Sequence, residues 1–244
     1  MKTIEDVCKL CNTTRQLCNS HVIPEFFFKS AYDELHRAIE VTATPIQRRL
    51  LQKGYREKLL CKPCEERINK FEKYVYDLWF KKKILPKTIY SEYFTVKGID
   101  YHKFKLFHLS VLWRASVSSL PQFSFVELGP HEKKIKDLIL NETPGDENRY
   151  GFFGSVLVDD NNNLMDGPIM QPISKKIEAH RVFIFIFGGC QWFYFTSSHT
   201  PARFVPFFFK KDGLLGLLKQ NFYELDSIQK FARAIKNMEM PKKE

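Results

Sequence analysis

Apolar residues at Ile68, Phe71, Val75, Leu78 and Trp79 recur every three or four positions, which predicts one amphipathic helix after Cys61. The helix has about five turns and ends at Lys81-Lys82-Lys83, ahead of Pro86. The same period at Phe104, Phe107, Leu109, Val111, Leu112 and Ala115 predicts a second helix from Tyr101 to Ser119, stopped by Pro121. His131 to Leu140 gives a third, and Asn141 to Tyr150, with Pro144-Gly145-Asp146, reads as an exposed turn. Short apolar pieces between polar turns from Thr3 to about Lys29 predict a knuckle followed by a β-hairpin. Ser30 to Lys53 has Ala31, Leu35, Ala38 and Ile39 at helical spacing and a break at Pro45, so it predicts a helical insertion. Beyond Tyr150 the period changes to that of strands: Phe152 to Val158, a turn at Asp159 to Asn163, then Arg181 to Phe187 and Cys190 to Thr196 as a hairpin across Gly188-Gly189. Leu214 to Lys219 and Ser227 to Met238 read as helical, the latter with Ile228, Phe231, Ala232 and Ile235 on one face.

Charge adds a partner class to this outline. The net charge is +10, and residues 1 to 98 carry 19 Lys/Arg against 12 Asp/Glu, so +7 of the excess lies in the N-terminal part. That balance favours an anionic partner such as nucleic acid over an acidic small substrate. Arg48, Arg49, Lys53, Arg56 and Lys58 make either a solvated face or a phosphate-contacting one. The triple lysine at 81 to 83 fits a helix C-terminus as well as a phosphate contact. The Met-Lys-Thr-Ile-Glu-Asp start has no apolar signal core, and the most apolar stretch, Val182 to Phe187, is too short to span a bilayer. The expectation is a cytoplasmic protein with no membrane association. The 23 Phe are concentrated in short runs and in residues 183 to 195, as core filler or as an interface.

Four of the six cysteines form two close pairs, Cys8-Lys9-Leu10-Cys11 and Cys61-Lys62-Pro63-Cys64, with 49 residues between the inner members. In a reducing compartment such pairs are metal ligands before they are disulfides, and two of them supply the tetrahedral sulfur set of a structural Zn²⁺. Reduced core thiols or a redox pair are the other readings. Cys18 and Cys190 lack partners at ligand spacing and read as ordinary buried thiols.

Ser20-His21-Val22-Ile23-Pro24, after the first pair, resembles the D-H-I-I-P segment of the HNH (ββα-metal) nucleases, and Leu59-Leu60-Cys61-Lys62-Pro63-Cys64 is similar to their L-L-C-x-x-C helix start. The resemblance implies a treble-clef layout of knuckle, hairpin and helix. It also implies endonuclease chemistry in which His21 is the general base on a water and a divalent ion stabilises the scissile phosphate. The sequence departs from that pattern at Ser20, where an acidic metal ligand is usual, and at Glu65, where a closing His is frequent. No residue in Gly54-Tyr55-Arg56-Glu57 matches the usual Asn. Glu65 remains a candidate ligand of a catalytic Mg²⁺ or Mn²⁺, with Glu66 or Glu57 assisting, or else a favourable charge in the first helical turn. His21 is likewise either a base or a hydrogen-bonded residue beside the zinc module. Leu106 to Ser119 with Leu128-Gly129-Pro130-His131-Glu132 is similar to a segment of bacterial proteins carrying the same cysteine module. There Arg114, Ser118, His131 and Glu132 line a site or serve as caps and buried hydrogen-bonding groups.

These observations predict an α+β chain: a zinc-stabilised treble-clef module over residues 1–85 with a helical insertion, then a mixed helix and antiparallel-strand domain over 86–244. The expected function is metal-dependent cleavage of nucleic acid, DNA first, in the bacterial-defence setting where HNH proteins often act, with Cys8, Cys11, Cys61 and Cys64 on zinc and His21 and Glu65 in catalysis. The alternative is a zinc-scaffolded subunit that binds nucleic acid or protein without hydrolysis, its C-terminal domain docking on a protein partner.

Overall fold

The computed structural model describes residues 5–43, 46–197, 199 and 201–239, a mixed α+β arrangement with a four-cysteine cluster near the N-terminus. Strand β1 (Glu5–Val7), β2 (Thr14–His21) and β5 (Arg56–Cys61) form an antiparallel sheet in the order β1-β2-β5. The cysteine knuckle lies between β1 and β2. Cys61 ends β5 and caps helix α1 (Lys62–Tyr76), whose second residue is Pro63, a position where the missing N–H costs nothing. A wider turn, Asp77–Lys81, extends α1, and Lys81 pairs with Asp77 at 2.7 Å, so this lysine serves the helix end.

The expected helical insertion is instead a 3-10 turn, Glu25–Ala31, and a separate hairpin of β3 (Ala38–Ala43) and β4 (Ile46–Leu51). Ile39, Val41 and Thr42 are β-branched, and their strand preference outweighs a four-residue apolar spacing that covers barely two turns. Nor does β2 form a hairpin with the residues after it; its partners are β1 and β5.

Helix α2 (Tyr101–Val117) is the spine of the molecule. Every residue from Phe104 to Ala115 is buried, as expected of a helix with an element on each side. It packs on α1 and on α3 (His131–Leu140), and its remaining face meets a six-stranded sheet. That sheet comprises β6 (Tyr93–Val96), β7 (Phe152–Val158), β8 (Met170–Ile177), β9 (His180–Phe187), β10 (Cys190–Phe195) and β11 (Leu215–Asn221), in the order β6-β11-β7-β10-β9-β8. Only β11 and β7 run parallel. Leu214 to Lys219 is therefore strand, not helix: Leu215 and Leu217 point into the core while Leu218 points out, a two-residue period hidden by the Leu-Leu-Gly-Leu-Leu run. Helix α4 (Asp226–Glu239) follows.

The Phe-rich hairpin is core. Phe183, Phe185, Phe187, Trp192 and Tyr194 join the main cluster, while Val182, Ile184 and Phe195 form a smaller one on the other face with Phe208. Gly188 and Gly189, at φ +63° and +74°, make the tight turn, and a Cβ on Gly188 would come within 2.5 Å of Phe27. One continuous core runs across residue 85: Phe27 packs against Phe187 with ring centroids 5.0 Å apart, and Trp79 Nε1 donates to Gly188 O at 2.8 Å. Among the described residues no helix is long and apolar enough to cross a membrane.

Candidate metal centre and histidine site

The first turn of the knuckle is set by backbone geometry. Cys8 N–H donates to Thr13 O at 3.0 Å, Asn12 N–H to Cys8 O at 2.9 Å, and Asn12 takes a left-handed φ of +59°, which its side chain tolerates. Lys9 N–H donates to Leu59 O at 2.9 Å and pins the knuckle against β5, which delivers Cys61 and, one helical turn on, Cys64. The four sulfurs lie within 4.8 Å of one another and could hold a metal ion. Cys11 Sγ and Cys61 Sγ are 3.7 Å apart, and a tetrahedron of sulfurs about 2.3 Å from a central ion has edges of about 3.8 Å. Cys61 N–H points at Cys8 Sγ at 3.3 Å, and the start of α1 favours negative charge. Burial raises the Cys11 thiol, but the hydroxyl and amide of Thr13 with Cys8 and Cys61 bring it down to about 6. Burial pushes the Cys61 and Cys64 thiols up, so the full set becomes thiolate only with a cation among them. The donor set fits a soft tetrahedral ion. Cys18 is half-buried and Cys190 buried, both as free thiols.

His21 ends β2 directly opposite Arg56 of β5. After it, Val22 and Ile23 are fully buried, and Val22 N–H reaches Tyr55 O at 3.1 Å. Pro24 then turns the chain into the 3-10 segment anchored by buried Phe27 and Phe28, which brings Glu25 back beside His21. Glu25 is the hub. Its Oε2 accepts from His21 Nε2 at 2.6 Å, Arg56 Nη2 at 3.0 Å and Gly54 N–H at 3.1 Å; its Oε1 accepts from Tyr32 Oη at 2.6 Å. Gly54 is required, since a Cβ there would lie 2.8 Å from the Phe28 ring. Burial alone would raise the Glu25 carboxyl, but Tyr32, Arg56, Gly54 and His21 hold it at about 2. Burial and the Arg56 charge lower His21 below its ordinary value despite Glu25, which favours the neutral imidazole. A carboxylate can only accept, which puts the His21 proton on Nε2. The Nδ1 lone pair has no partner among the described residues, and the side chain is 23% exposed.

Glu65 belongs to a different network. Burial raises its carboxyl against the Ser20 hydroxyl, which bonds to it, and its Oε1 has no hydrogen-bond partner. Ser20 is itself buried and also accepts from Leu60 N–H at 3.2 Å. The local positive charge is Arg114, 1% exposed, which pairs with Glu72 at 2.7 Å and donates to His21 O at 2.7 Å and Ser110 O at 3.2 Å. A hard divalent ion needs several oxygen ligands. Here Ser20 supplies no carboxylate, a guanidinium already faces the acids, and no group of three His, Cys, Asp or Glu ligands gathers among the described residues except the four cysteines. The residues do not fit a catalytic cation bridging His21 and Glu65.

Glu57 accepts from Ser118 Oγ and from Ser119 N–H, securing the end of α2, and Glu66 shows no part in either network. Lys58 Nζ donates to Leu17 O at 2.9 Å, and the side chains of Arg48 and Arg49 lie outside the described residues. His131 Nδ1 meets Tyr150 Oη at 3.2 Å, a packing contact at the start of α3. Sequence reasoning missed Glu25, Tyr32 and His36. The first had a signal in its four-residue offset from His21 through a proline turn; the others are placed only by the tertiary fold. No family model, curated protein or solved structure matches the chain.

Proposed function

We propose that the chain is a nucleic-acid phosphodiesterase with an HNH-like histidine segment, built on a treble-clef module that a structural Zn²⁺ holds through Cys8, Cys11, Cys61 and Cys64. One observation carries this reading: Glu25 accepts the Nε2 proton of His21 and leaves Nδ1 as a free base beside Arg56. A neutral imidazole fixed by a carboxylate is poised to take a proton from a nucleophilic oxygen, and a fixed Arg beside it suits an anionic ester. Zinc contributes the clamp that joins knuckle, β5 and α1, and His21 does the proton transfer. The net charge of +10 suits a polyanionic substrate.

The buried Ser20, Glu65 and Arg114 network favours a second reading, a zinc-scaffolded subunit that binds nucleic acid or a protein partner without cutting, as in a defence assembly. Cleavage of plasmid DNA and of single-stranded RNA by full-length protein, beside His21→Ala of equal zinc content, separates the two. Cutting lost in His21→Ala supports the enzyme. Binding without cutting in both proteins supports the scaffold.

A further inference from the structure

Glu25 carries a second imidazole on its far side. His36 Nε2 lies 4.0 Å from Oε1, the oxygen not used by His21, and the His36 ring packs against Tyr32 at a tilt of 40° with centroids 4.0 Å apart. The side chain is 66% exposed, and its backbone has a left-handed φ of +57°. That conformation is uncommon outside glycine, though histidine is among the side chains that adopt it, and the bonded turn around it holds it in place. Asp33 Oδ1 accepts from the Leu35 and Arg37 amides at 3.0 and 2.9 Å, Asp33 Oδ2 binds the Arg37 guanidinium at 2.8 Å, and His36 N–H donates to Asp33 O at 2.9 Å. A tied loop thus presents an exposed imidazole toward the half-buried His21–Glu25 dyad. The groups facing it are Glu25, Tyr32 and, across Glu25, Arg56 and His21.

We propose that His21 and His36 are the base and acid of a metal-independent cleavage of RNA. The inference rests on the phosphodiesterase reading and names its substrate. Two imidazoles and an Arg without a fitting site for a catalytic cation suit a reaction whose nucleophile is already in the substrate. In RNA that nucleophile is the 2′-hydroxyl, which DNA lacks, and its attack is intramolecular. His21 Nδ1 takes the 2′-hydroxyl proton as the 2′-oxygen bonds to phosphorus. The bond from phosphorus to the 5′-oxygen breaks, and protonated His36 gives that oxygen its proton. The products are a 2′,3′-cyclic phosphate and a 5′-hydroxyl; both imidazoles exchange protons with water to reset, and nothing is oxidised or reduced.

The test uses the full chain with its metal content measured, in buffer without added Mg²⁺ or Mn²⁺. One substrate is a DNA strand containing a single ribonucleotide, the other the same strand in DNA only. Cleavage at the ribonucleotide with a 2′,3′-cyclic phosphate end, and none in the DNA strand, is the expected result. His36→Asn, which keeps the left-handed backbone accessible, should lower kcat by about 10²-fold or more. On uridine 3′-(4-nitrophenyl phosphate), whose leaving group needs no proton, His36→Asn should recover to near the parent rate while His21→Ala stays slow. Cutting of the all-DNA strand, a strict need for added divalent ion, or equal losses for His36→Asn on both leaving groups would overturn the inference and leave the phosphodiesterase reading standing. No cutting of either strand by folded, zinc-loaded protein, with or without added Mg²⁺ or Mn²⁺, would overturn both.

Discussion

Replacing Glu25 by Gln substitutes an amide donor for one oxygen of a carboxylate that accepts four hydrogen bonds. Those partners hold the carboxyl at about 2 instead of 4.5, which is worth about 3 kcal/mol of folding free energy at neutral pH. The side chain is 25% exposed, and screening reduces the effect to about 1–2 kcal/mol. Because the folded pKa is lowered, the contribution is complete above the unfolded value near 4.5 and is lost as pH falls from there through about 2. Urea unfolding of parent and Glu25→Gln at about pH 7 and about pH 3.5 reads both size and sign. The gap should be largest at the higher pH and narrow at the lower one. Equal midpoints at about pH 7, or a gap that widens on acidification, would show that Glu25 is not the anionic hub of this site.

The remaining predictions concern its surroundings. Serine at Cys8, Cys11, Cys61 or Cys64 should abolish stoichiometric zinc by metal analysis and lower the Tm, whereas Cys18→Ser should keep both. Arg114→Met removes the charge partner of half-buried Glu72 and the donor to the His21 carbonyl and should cost about 2–4 kcal/mol in urea unfolding, with much of the loss recovered in the Arg114→Met, Glu72→Met double variant. Glu65→Gln should retain zinc and activity and raise or preserve the Tm at about pH 8. A carboxyl raised by burial lends stability below its unfolded pKa and loses it as pH rises through the folded one, and Gln removes that loss. A fall in activity with Tm and zinc intact would return Glu65 to the chemistry.

The parts of this molecule legible in the sequence are those fixed by local period and spacing. Helices α1, α2 and α3 and the β9–β10 hairpin stand where apolar spacing and Gly188-Gly189 place them, and the paired cysteines converge as two short-range units must. Residues 38–51 and 215–221 were harder to read because short apolar runs fit helix and strand alike, and strand pairing decided between them. Of the histidine site only part was legible, since Tyr32 and His36 carried no pattern that singles them out and Glu25 only its offset from His21. His21 and Arg56 stand out by residue type, but their register across β2 and β5, and the 3-10 turn that returns Glu25, come from long-range packing of Phe27 and Phe28. Arg114 pairs with Glu72 and His21 O only because α2 crosses the cysteine module.

The histidine geometry can be read without any substrate, by long-range ¹H–¹⁵N correlation of the imidazoles in parent and Glu25→Gln. The account predicts that His21 is neutral at about pH 7 with its proton on Nε2, a bare Nδ1 and a pKa below the ordinary histidine value, and that Glu25→Gln disturbs this state. A His21 that carries its proton on Nδ1, or is an imidazolium at that pH, would contradict the claim that this protein holds a ready base over its cysteine-clamped fold.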